Sequence, residues 1–331
     1  MDRMAIADRR SLRRKLSFWR VVALIMLVGI GFALYRVALG DRAGAAVPHV
    51  ARVEISGLIA DNKELLERLD RIADSNQAKA LIVSISSPGG TTYGGERIFK
   101  AIRHIAEKKP VVSDIRTLAA SAGYMIATAG DQIVAGESSI TGSIGVIFQY
   151  PQLGEVMKKV GVSLEEIKSA PLKAEPSPFH PASEEAKAMI RSMVMDSYGW
   201  FVDLVADRRK LPREDVLKLA DGTIFTGRQA LNVKLVDKLG GEDDIRAYLE
   251  TRGVAKNLPV VDWKERSSAS SFWLAGALAE FVKQTGLAQV VTPETLRALG
   301  ADKLFLDGLV SVWQVGTVEN LAFSGGNRDQ V

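Results

Sequence analysis

The sequence contains no cysteine and only three histidines among its 331 residues. The lack of cysteine excludes disulfide bonds, thiolate zinc sites and thiol nucleophiles. The three histidines, His49, His104 and His180, lie far apart and show none of the short spacings that are typical of histidine metal sites. We therefore expect neither a bound metal ion nor a cofactor.

The excess of positive charge is confined to one end of the chain. The whole sequence carries a formal net charge of +4. Residues 1–40 contain eight basic and two acidic side chains, so residues 41–331 carry a net charge of −2. A faintly acidic body lacks the basic surface of a polyanion binder, and we expect no nucleic-acid partner.

One long apolar run follows the basic residues. Val21–Tyr35 contains no charged or strongly polar side chain, and Arg20 and Arg36 flank it. About 20 helical residues span a bilayer, so the run is long enough only if both arginines extend their guanidinium groups to the interfaces. The run predicts an uncleaved membrane anchor. Ala43-Gly44-Ala45 resembles a cleavage site and leaves a cleaved signal peptide as the alternative.

These features divide the chain into four parts. We predict a basic cytoplasmic tail at residues 1–20 and a transmembrane signal anchor at residues 21–40. The positive charge stays on the cytoplasmic side, which sends the rest of the chain across the membrane. Residues 41–250 then form one folded domain, and residues 251–331 form a C-terminal extension of uncertain role.

Strand-like and helix-like segments alternate from about residue 50. Short apolar segments of strand character predict the strands 52–59, 80–86, 110–116 and 132–135. Apolar residues at helical spacing and runs of small residues predict the helices 62–74, 96–107 and 118–129. The strand 80–86 is expected to stop at Ser87-Pro88-Gly89-Gly90. Such alternation favours an α/β domain with mostly parallel strands and right-handed crossovers.

The second half of the chain is predicted to be more helical. Ser183 is placed as the N-cap of a helix with Glu184 and Glu185 in its first turn, and Asp221-Gly222 is a turn signal. Phe272–Val282 is apolar and compatible with a helix but too short to cross a bilayer. This segment packs on the body or a sister subunit, or it lies on a membrane surface.

Three short segments stand at the ends of predicted strands, where α/β folds place their ligands. Ser87–Gly90 offers adjacent backbone amides that suit an oxyanion or a phosphate, or it forms a plain turn. Ser121, among small residues at the start of a helix, is open to a substrate carbonyl, or it serves close helix packing. Thr141–Val146 forms a tight turn with a serine free to orient an amine, or a hairpin-like turn.

An activated serine needs a base, and lysine is the remaining choice because the only histidine after Ser121 is His180 in a proline-rich segment. Deprotonating an exposed lysine at pH 7 costs about 4–5 kcal/mol, so a working lysine must be desolvated. We expect Lys168 to be solvated and charged on a surface helix, and Lys158 and Lys159 to form a surface run. Lys173, in an irregular stretch with apolar and proline neighbours, is the best candidate. Residue statistics alone would place it on the surface.

At these residues the sequence resembles the signal peptide peptidase A family, whose members are membrane-anchored Ser-Lys proteases of the ClpP/crotonase superfamily. The resemblance covers about residues 50–245. It is carried by Ser86–Gly90, Ala120–Tyr124, Thr141–Val146, the Lys173 segment running into Ser177-Pro178-Phe179, and Phe225–Ala230 with Leu235-Val236-Asp237. Leu172 stands where the family commonly has tyrosine, and Lys234 stands where it usually has glycine.

The resemblance implies a ClpP/crotonase-like α/β fold with an N-terminal transmembrane helix and a mostly helical C-terminal extension. It implies Ser121 as nucleophile, Lys173 as general base, Ser143 as the hydroxyl that orients the lysine, and Gly89 or Gly90 as the oxyanion hole. No metal or other cofactor belongs to this scheme.

The resemblance also implies a substrate and a location. The family cleaves remnant signal peptides in the membrane with an extracytoplasmic domain, assembled as a homo-oligomeric ring whose neighbours help to build the active sites. We therefore expect a single-pass protein of the inner membrane with its protease domain, residues 41–250, on the periplasmic side. This chain resembles the short form of the family.

Two other interpretations remain at this point. A crotonase-like acyl-CoA enzyme would share the fold and the oxyanion amides without needing Ser121 or Lys173, although an exported domain is remote from cytosolic CoA. A non-enzymatic membrane scaffold would tolerate the loss of both residues.

Overall fold

The structure is a computed structural model that describes residues 19–29, residues 47–264 and the backbone of residues 310–312. Residues 19–29 form helix α1, which begins two residues before the expected anchor and overlaps its first nine residues. Among the described residues, no helix combines the length and apolar character that a bilayer crossing requires. The rest of the expected anchor and the predicted helix at Phe272–Val282 lie outside the described residues.

A nine-stranded sheet organises the described part of the chain. Its strands are β1 (His49–Ile59), β2 (Ala78–Thr91), β3 (Val111–Ala120), β4 (Gln132–Ala135), β5 (Ile140–Gly142), β6 (Ile224–Thr226), β7 (Lys238–Leu239), β8 (Val260–Asp262) and β9 (Val310–Val312). The main path has the order β6-β5-β3-β2-β1-β8, while β4 joins β3 to β7, and β9 pairs with β2.

Most strand pairs are parallel, as the alternating sequence pattern predicts. Parallel pairing joins β1 to β2 and β8, β3 to β2, β4 and β5, and β4 to β7. The pairs β5–β6 and β2–β9 are antiparallel. The mixed α/β fold is therefore confirmed, and it agrees with a ClpP-like architecture.

Helices cover both faces of the sheet. They are α2 (Lys63–Asp74), α3 (Thr92–Ala106), α4 (Ala122–Ala127), α5 (Gly154–Lys159), α6 (Glu184–Arg209), α7 (Arg213–Leu219), α8 (Gly227–Asn232) and α9 (Glu242–Thr251). Apolar residues of α2, α3, α4 and α6 join the larger core cluster on one face. The smaller cluster unites alternate strand residues such as Ile82 and Val112 with Ile245 and Leu249 of α9. Because successive strand residues point to opposite faces, the two clusters lie on opposite sides of the sheet.

Local sequence signals explain where several helices begin. The Asn62 side chain accepts a hydrogen bond from the backbone amide of Leu65 and caps α2. Ser183 caps α6 in the same way by accepting from Ala186, as predicted, and the acidic residues of the first turn complement the helix dipole.

Two predicted boundaries near the strand ends are wrong. Strand β2 does not stop before Ser87 but continues through Thr91, and β3 runs to Ala120, so that α4 is much shorter than the expected helix 118–129. The register of both β1–β2 and β2–β3 shifts beside Ser87. These bulges let the chain pass a proline and two glycines and still pair with its neighbours, so tertiary pairing overrides the local turn preference.

Candidate active site

Ser121 occupies a sharp turn between β3 and α4. Its backbone has φ 57° and ψ −120°, a conformation that a residue with a side chain rarely adopts. Two backbone hydrogen bonds hold it: its amide donates to Gly142 at 2.8 Å, and its carbonyl accepts from Met125 at 2.9 Å. Strained backbone at a strand-to-helix turn is typical of a nucleophile that must face a substrate.

The small residues after Ser121 serve close packing as well. A Cβ added to Gly123 would lie 2.9 Å from the carbonyl oxygen of Ser87 in β2, and Ala122 packs against Gly95 of α3. The two interpretations offered for this segment are therefore compatible, because close packing against β2 fixes the turn that carries Ser121.

A cavity of about 300 Å³ lies beside Ser121. Its lining combines the segment 143–147 with parts of α6 and the 220–222 turn. Ile144, Val146, Val194 and Met195 give it apolar walls. Such a cavity suits an apolar side chain next to a reacting carbonyl.

Ser143 lines the same cavity as Ser121. It is also held at positive φ, 52°, and its amide donates to Thr223 at 2.8 Å. The carbonyl of Gly142, the residue before it, accepts the hydrogen bond from the Ser121 amide. The structure therefore brings the predicted nucleophile and the predicted lysine-orienting hydroxyl to one cavity.

Gly89 and Gly90 lie at the end of β2, between β1 and β9. Gly89 has φ 109°, which favours glycine, and its amide donates to the Ser87 hydroxyl at 3.1 Å. On the other side, β9 runs antiparallel along Gly89–Thr91. The Gly89 amide can serve an oxyanion only by exchanging its bond to Ser87.

Lys173 lies on an irregular stretch between α5 and α6, as its sequence context predicts, but in this single copy it is exposed and not desolvated. It is not among the described residues that line the cavity beside Ser121. Within this single copy the cavity does not unite Lys173 with Ser121, and the role of Lys173 as base stays a prediction.

The sequence interpretation missed a charged cluster close to Lys173. Lys168 is not on a helix; its ammonium lies 2.6 Å from carboxylate oxygens of both Glu166 and Glu175. The imidazole Nε2 of His180 lies 3.4 Å from each carboxylate. The hydrogen bond from Lys168 holds the pKa of each carboxyl below its ordinary value, and the two carboxylates raise the pKa of Lys168. No sequence periodicity marks the cluster, because its members come from an irregular segment.

The Glu166, Glu175 and His180 ligand atoms are close enough together to hold a metal ion. The Lys168 ammonium already supplies a positive charge to both carboxylates, however. The Lys168 ammonium therefore neutralises the carboxylates in place of a metal ion.

A larger cavity, about 690 Å³, lies on the sheet face that carries α9, and sequence reasoning missed it too. It contains none of the predicted site residues. Two of its arginines are paired: Arg52 lies 2.7 Å from Glu242, and Arg116 lies 3.3 Å from Asp114. We assign the chemistry to the smaller cavity because that one contains Ser121.

Comparisons with known proteins indicate a protease family. Residues 103–257 match the family model described as peptidase family S49, and residues 53–139 match the model described as Clp protease. A putative protease of Synechocystis is 40% identical over 204 residues, which cover 61% of this chain and 73% of the relative. A putative signal peptide peptidase SppA of Enterococcus faecium is 32% identical over 253 residues, which cover 72% and 74%.

Proposed function

The chain belongs to peptidase family S49, the family of signal peptide peptidase A, and from this premise we propose that it is a membrane-anchored serine endopeptidase with a Ser121–Lys173 dyad. Its substrates are remnant signal peptides and other hydrophobic peptides. The observation that carries the proposal is the strained turn that holds Ser121 beside an apolar cavity.

The reaction is acyl transfer. The neutral amine of Lys173 accepts the proton of the Ser121 hydroxyl while the serine oxygen attacks the substrate carbonyl. Backbone amides at Gly89 or Gly90 stabilise the tetrahedral oxyanion. As the peptide C–N bond breaks, Lys173 returns the proton to the leaving amine, and water then hydrolyses the acyl-enzyme with Lys173 again as base.

The β2 edge supports binding of an extended peptide. The antiparallel pairing of β9 with Gly89–Thr91 indicates that this end of β2 can pair with an extended segment, and a substrate strand would take the place of β9 there. A substrate that binds in this way presents alternate side chains to the apolar walls beside Ser121.

A neighbouring copy completes the site in this proposal. Lys173 is exposed and its segment also exposes large apolar side chains: Val160, Val162, Leu164, Ile167, Leu172 and Phe179. Exposed apolar surface of this kind is typical of protein interfaces. Its burial in a homo-oligomeric ring would desolvate Lys173 and favour its uncharged form.

The proposed location follows from the N-terminal sequence. The basic residues before Val21 keep the N terminus cytoplasmic, and residues 21–40 anchor the chain in the inner membrane. The protease domain, residues 41–250, then faces the periplasm, close to peptides left in the bilayer.

Two alanine variants test the dyad. We expect Ser121→Ala and Lys173→Ala each to lower the degradation rate of a cleaved signal peptide by about a thousandfold or more, with an unchanged melting temperature. Lys159→Ala, which removes another lysine of this region, is the matched control and keeps full activity. Retained hydrolysis in either dyad variant refutes the assignment.

A serine-reactive phosphonate that labels wild type but not Ser121→Ala excludes the scaffold alternative.

A mixing experiment tests the shared site. If neighbouring copies supply Ser121 and Lys173, co-assembled Ser121→Ala and Lys173→Ala chains recover part of the activity that each variant lacks alone. No recovery in verified mixed assemblies means that one copy supplies both residues.

A further inference from the structure

We propose that Lys168 and Glu175 form an ion-pair clamp that positions the Lys173 loop, defined as residues 169–174. This inference rests on the proposed role of Lys173 as general base. It assigns Lys168 and Glu175 as positioning residues, which act on the reaction through Lys173.

The clamp joins the two ends of the loop. Lys168 immediately precedes the loop and Glu175 immediately follows it, and their side chains meet at 2.6 Å. The Glu175 side chain is only 6% exposed and that of Lys168 is 19% exposed, whereas most other ion pairs among the described residues are more exposed. Ion pairs shielded from water are weakened less by solvent than exposed ones.

The loop has little else to define its shape. Between α5 and α6 the described chain forms neither helix nor strand. Two turn hydrogen bonds lie inside the loop segment, from the Lys173 amide to Ala170 and from the Glu175 amide to Leu172. Ala174 takes φ 64°, a conformation that alanine rarely adopts and that neighbouring contacts must maintain. A bond between the loop ends supplies such a contact.

The clamp also connects the loop to the rest of the domain. The second oxygen of Glu175 accepts from the Ser177 amide at 3.2 Å, and the Ser177 hydroxyl accepts from the Phe179 amide. The adjacent Pro178 carbonyl accepts from the Leu153 amide at 2.6 Å. Leu153 directly precedes α5, a few residues after the segment 143–147 that lines the Ser121 cavity. The clamp therefore ties the Lys173 loop to the residue that precedes α5.

Catalysis explains why such a clamp is needed. A general base works only within hydrogen-bonding reach of its proton, and displacement of about 1 Å can cost a hundredfold in rate. The long lysine side chain amplifies any movement of the loop that carries it. Closing the loop with a shielded ion pair reduces this freedom before substrate binds.

The test compares kcat and KM for a peptide substrate. We expect Lys168→Met and Glu175→Gln each to lower kcat about 10–100-fold and to leave KM within about threefold, because the substrate still binds beside Ser121. Lys168→Arg keeps a cation that can bind two carboxylates and should restore at least a third of the wild-type kcat. Glu175→Gln leaves no charged carboxylate at position 175, so it provides the test if Lys168→Met does not fold.

The chain offers a matched control. Lys158 pairs with Glu155 at 2.8 Å on α5, but both side chains are exposed, so Lys158→Met should leave kcat unchanged. A wild-type kcat in folded Lys168→Met and Glu175→Gln overturns the clamp. So does a change in KM with no change in kcat. The clamp is also overturned if kcat falls in Lys168→Met and falls equally in Lys168→Arg. If Lys173→Ala is fully active in the same assay, the proposed function fails instead, so the two failures are distinguishable.

Discussion

At the scale of single residues, close backbone contacts decide which side chains the site tolerates. A Cβ added to Gly90 would overlap the backbone of Ile59, its partner in β1. Because the Ile59 atoms that the added Cβ would meet all belong to the backbone of a paired strand, β1 cannot move aside without breaking the ladder. The close spacing of β1 and β2 therefore requires glycine at position 90, whether or not its amide serves as an oxyanion hole.

We expect Gly90→Ala to lower the free energy of unfolding by about 3 kcal/mol, because overpacking forces backbone shifts. Urea denaturation at neutral pH measures the change. Gly145→Ala is the control: an added Cβ meets nothing within 4 Å there, so stability should change by less than about 0.5 kcal/mol. Equal effects of the two substitutions would contradict this explanation.

Lys234 illustrates a departure from the family that backbone geometry explains. The family usually has glycine at this position, and the structure gives Lys234 φ 63°, in the left-handed region where glycine is preferred. Its amide still donates to Leu231 in the turn after α8. The difference therefore lies in a turn, and the chain tolerates the left-handed conformation there.

At the scale of secondary-structure elements, one arginine at the end of α6 is linked to the sheet through an ion pair. Arg209 binds both carboxylate oxygens of Asp237, at 2.6 and 3.1 Å, and donates to the Lys234 carbonyl. Asp237 in turn accepts from the Ile133 amide of β4 at 2.7 Å. The Arg209 side chain is 9% exposed, and hydrogen bonding to Asp237 helps to raise its pKa although burial opposes the shift.

Breaking this link should be costly. We expect Arg209→Met to destabilise the protein by about 3 kcal/mol, because it leaves the Asp237 carboxylate without its main partner. Arg213→Met is the control, since its pair with Asp203 is exposed on both sides and should cost less than about 1 kcal/mol. Denaturant midpoints of the two variants decide the comparison, and equal midpoints would contradict it.

The elements differ in how well the sequence predicts them. Helix α2 follows from periodicity alone, because its apolar residues face the core at regular intervals, and strand β4 follows from its short apolar run. The end of β2 does not, since Pro88 and two glycines favour a turn locally while pairing with β1, β3 and β9 continues the strand. Ser121 and Ser143 could be found from small-residue motifs. The Lys168 cluster could not, because its contacts depend on an irregular path.

At the scale of the whole molecule, ion pairs make stability depend on pH. The pKa values of Glu166, Glu175, Glu242 and Asp244 are all lowered, with a hydrogen bond from a lysine or arginine as the largest cause in each. A carboxyl with a lowered pKa in the folded state binds protons more readily when unfolded. Each such carboxyl therefore stabilises the folded state above its ordinary pKa, and this stabilisation is lost as the pH falls through its pKa in the folded state.

We expect the free energy of unfolding to fall as the pH drops below about 4.5, the ordinary value for glutamate. Urea midpoints measured between pH 6 and pH 3 show the slope. Glu242→Gln, which removes a carboxylate bound by Arg246 and Arg52, should make this slope shallower. An unchanged slope in that variant would mean that its ion pairs contribute nothing to acid stability.

The near-contact between Gly123 and the Ser87 carbonyl has a consequence for how specificity can change. It couples the turn that bears the proposed nucleophile to the strand that bears the proposed oxyanion amides, so a change in the direction of one changes the other. Diversification toward new peptides must then proceed by exchanging wall residues such as Val146 and Met195. Such exchanges would change the walls of the cavity and leave the geometry of the proposed reacting centre as it is.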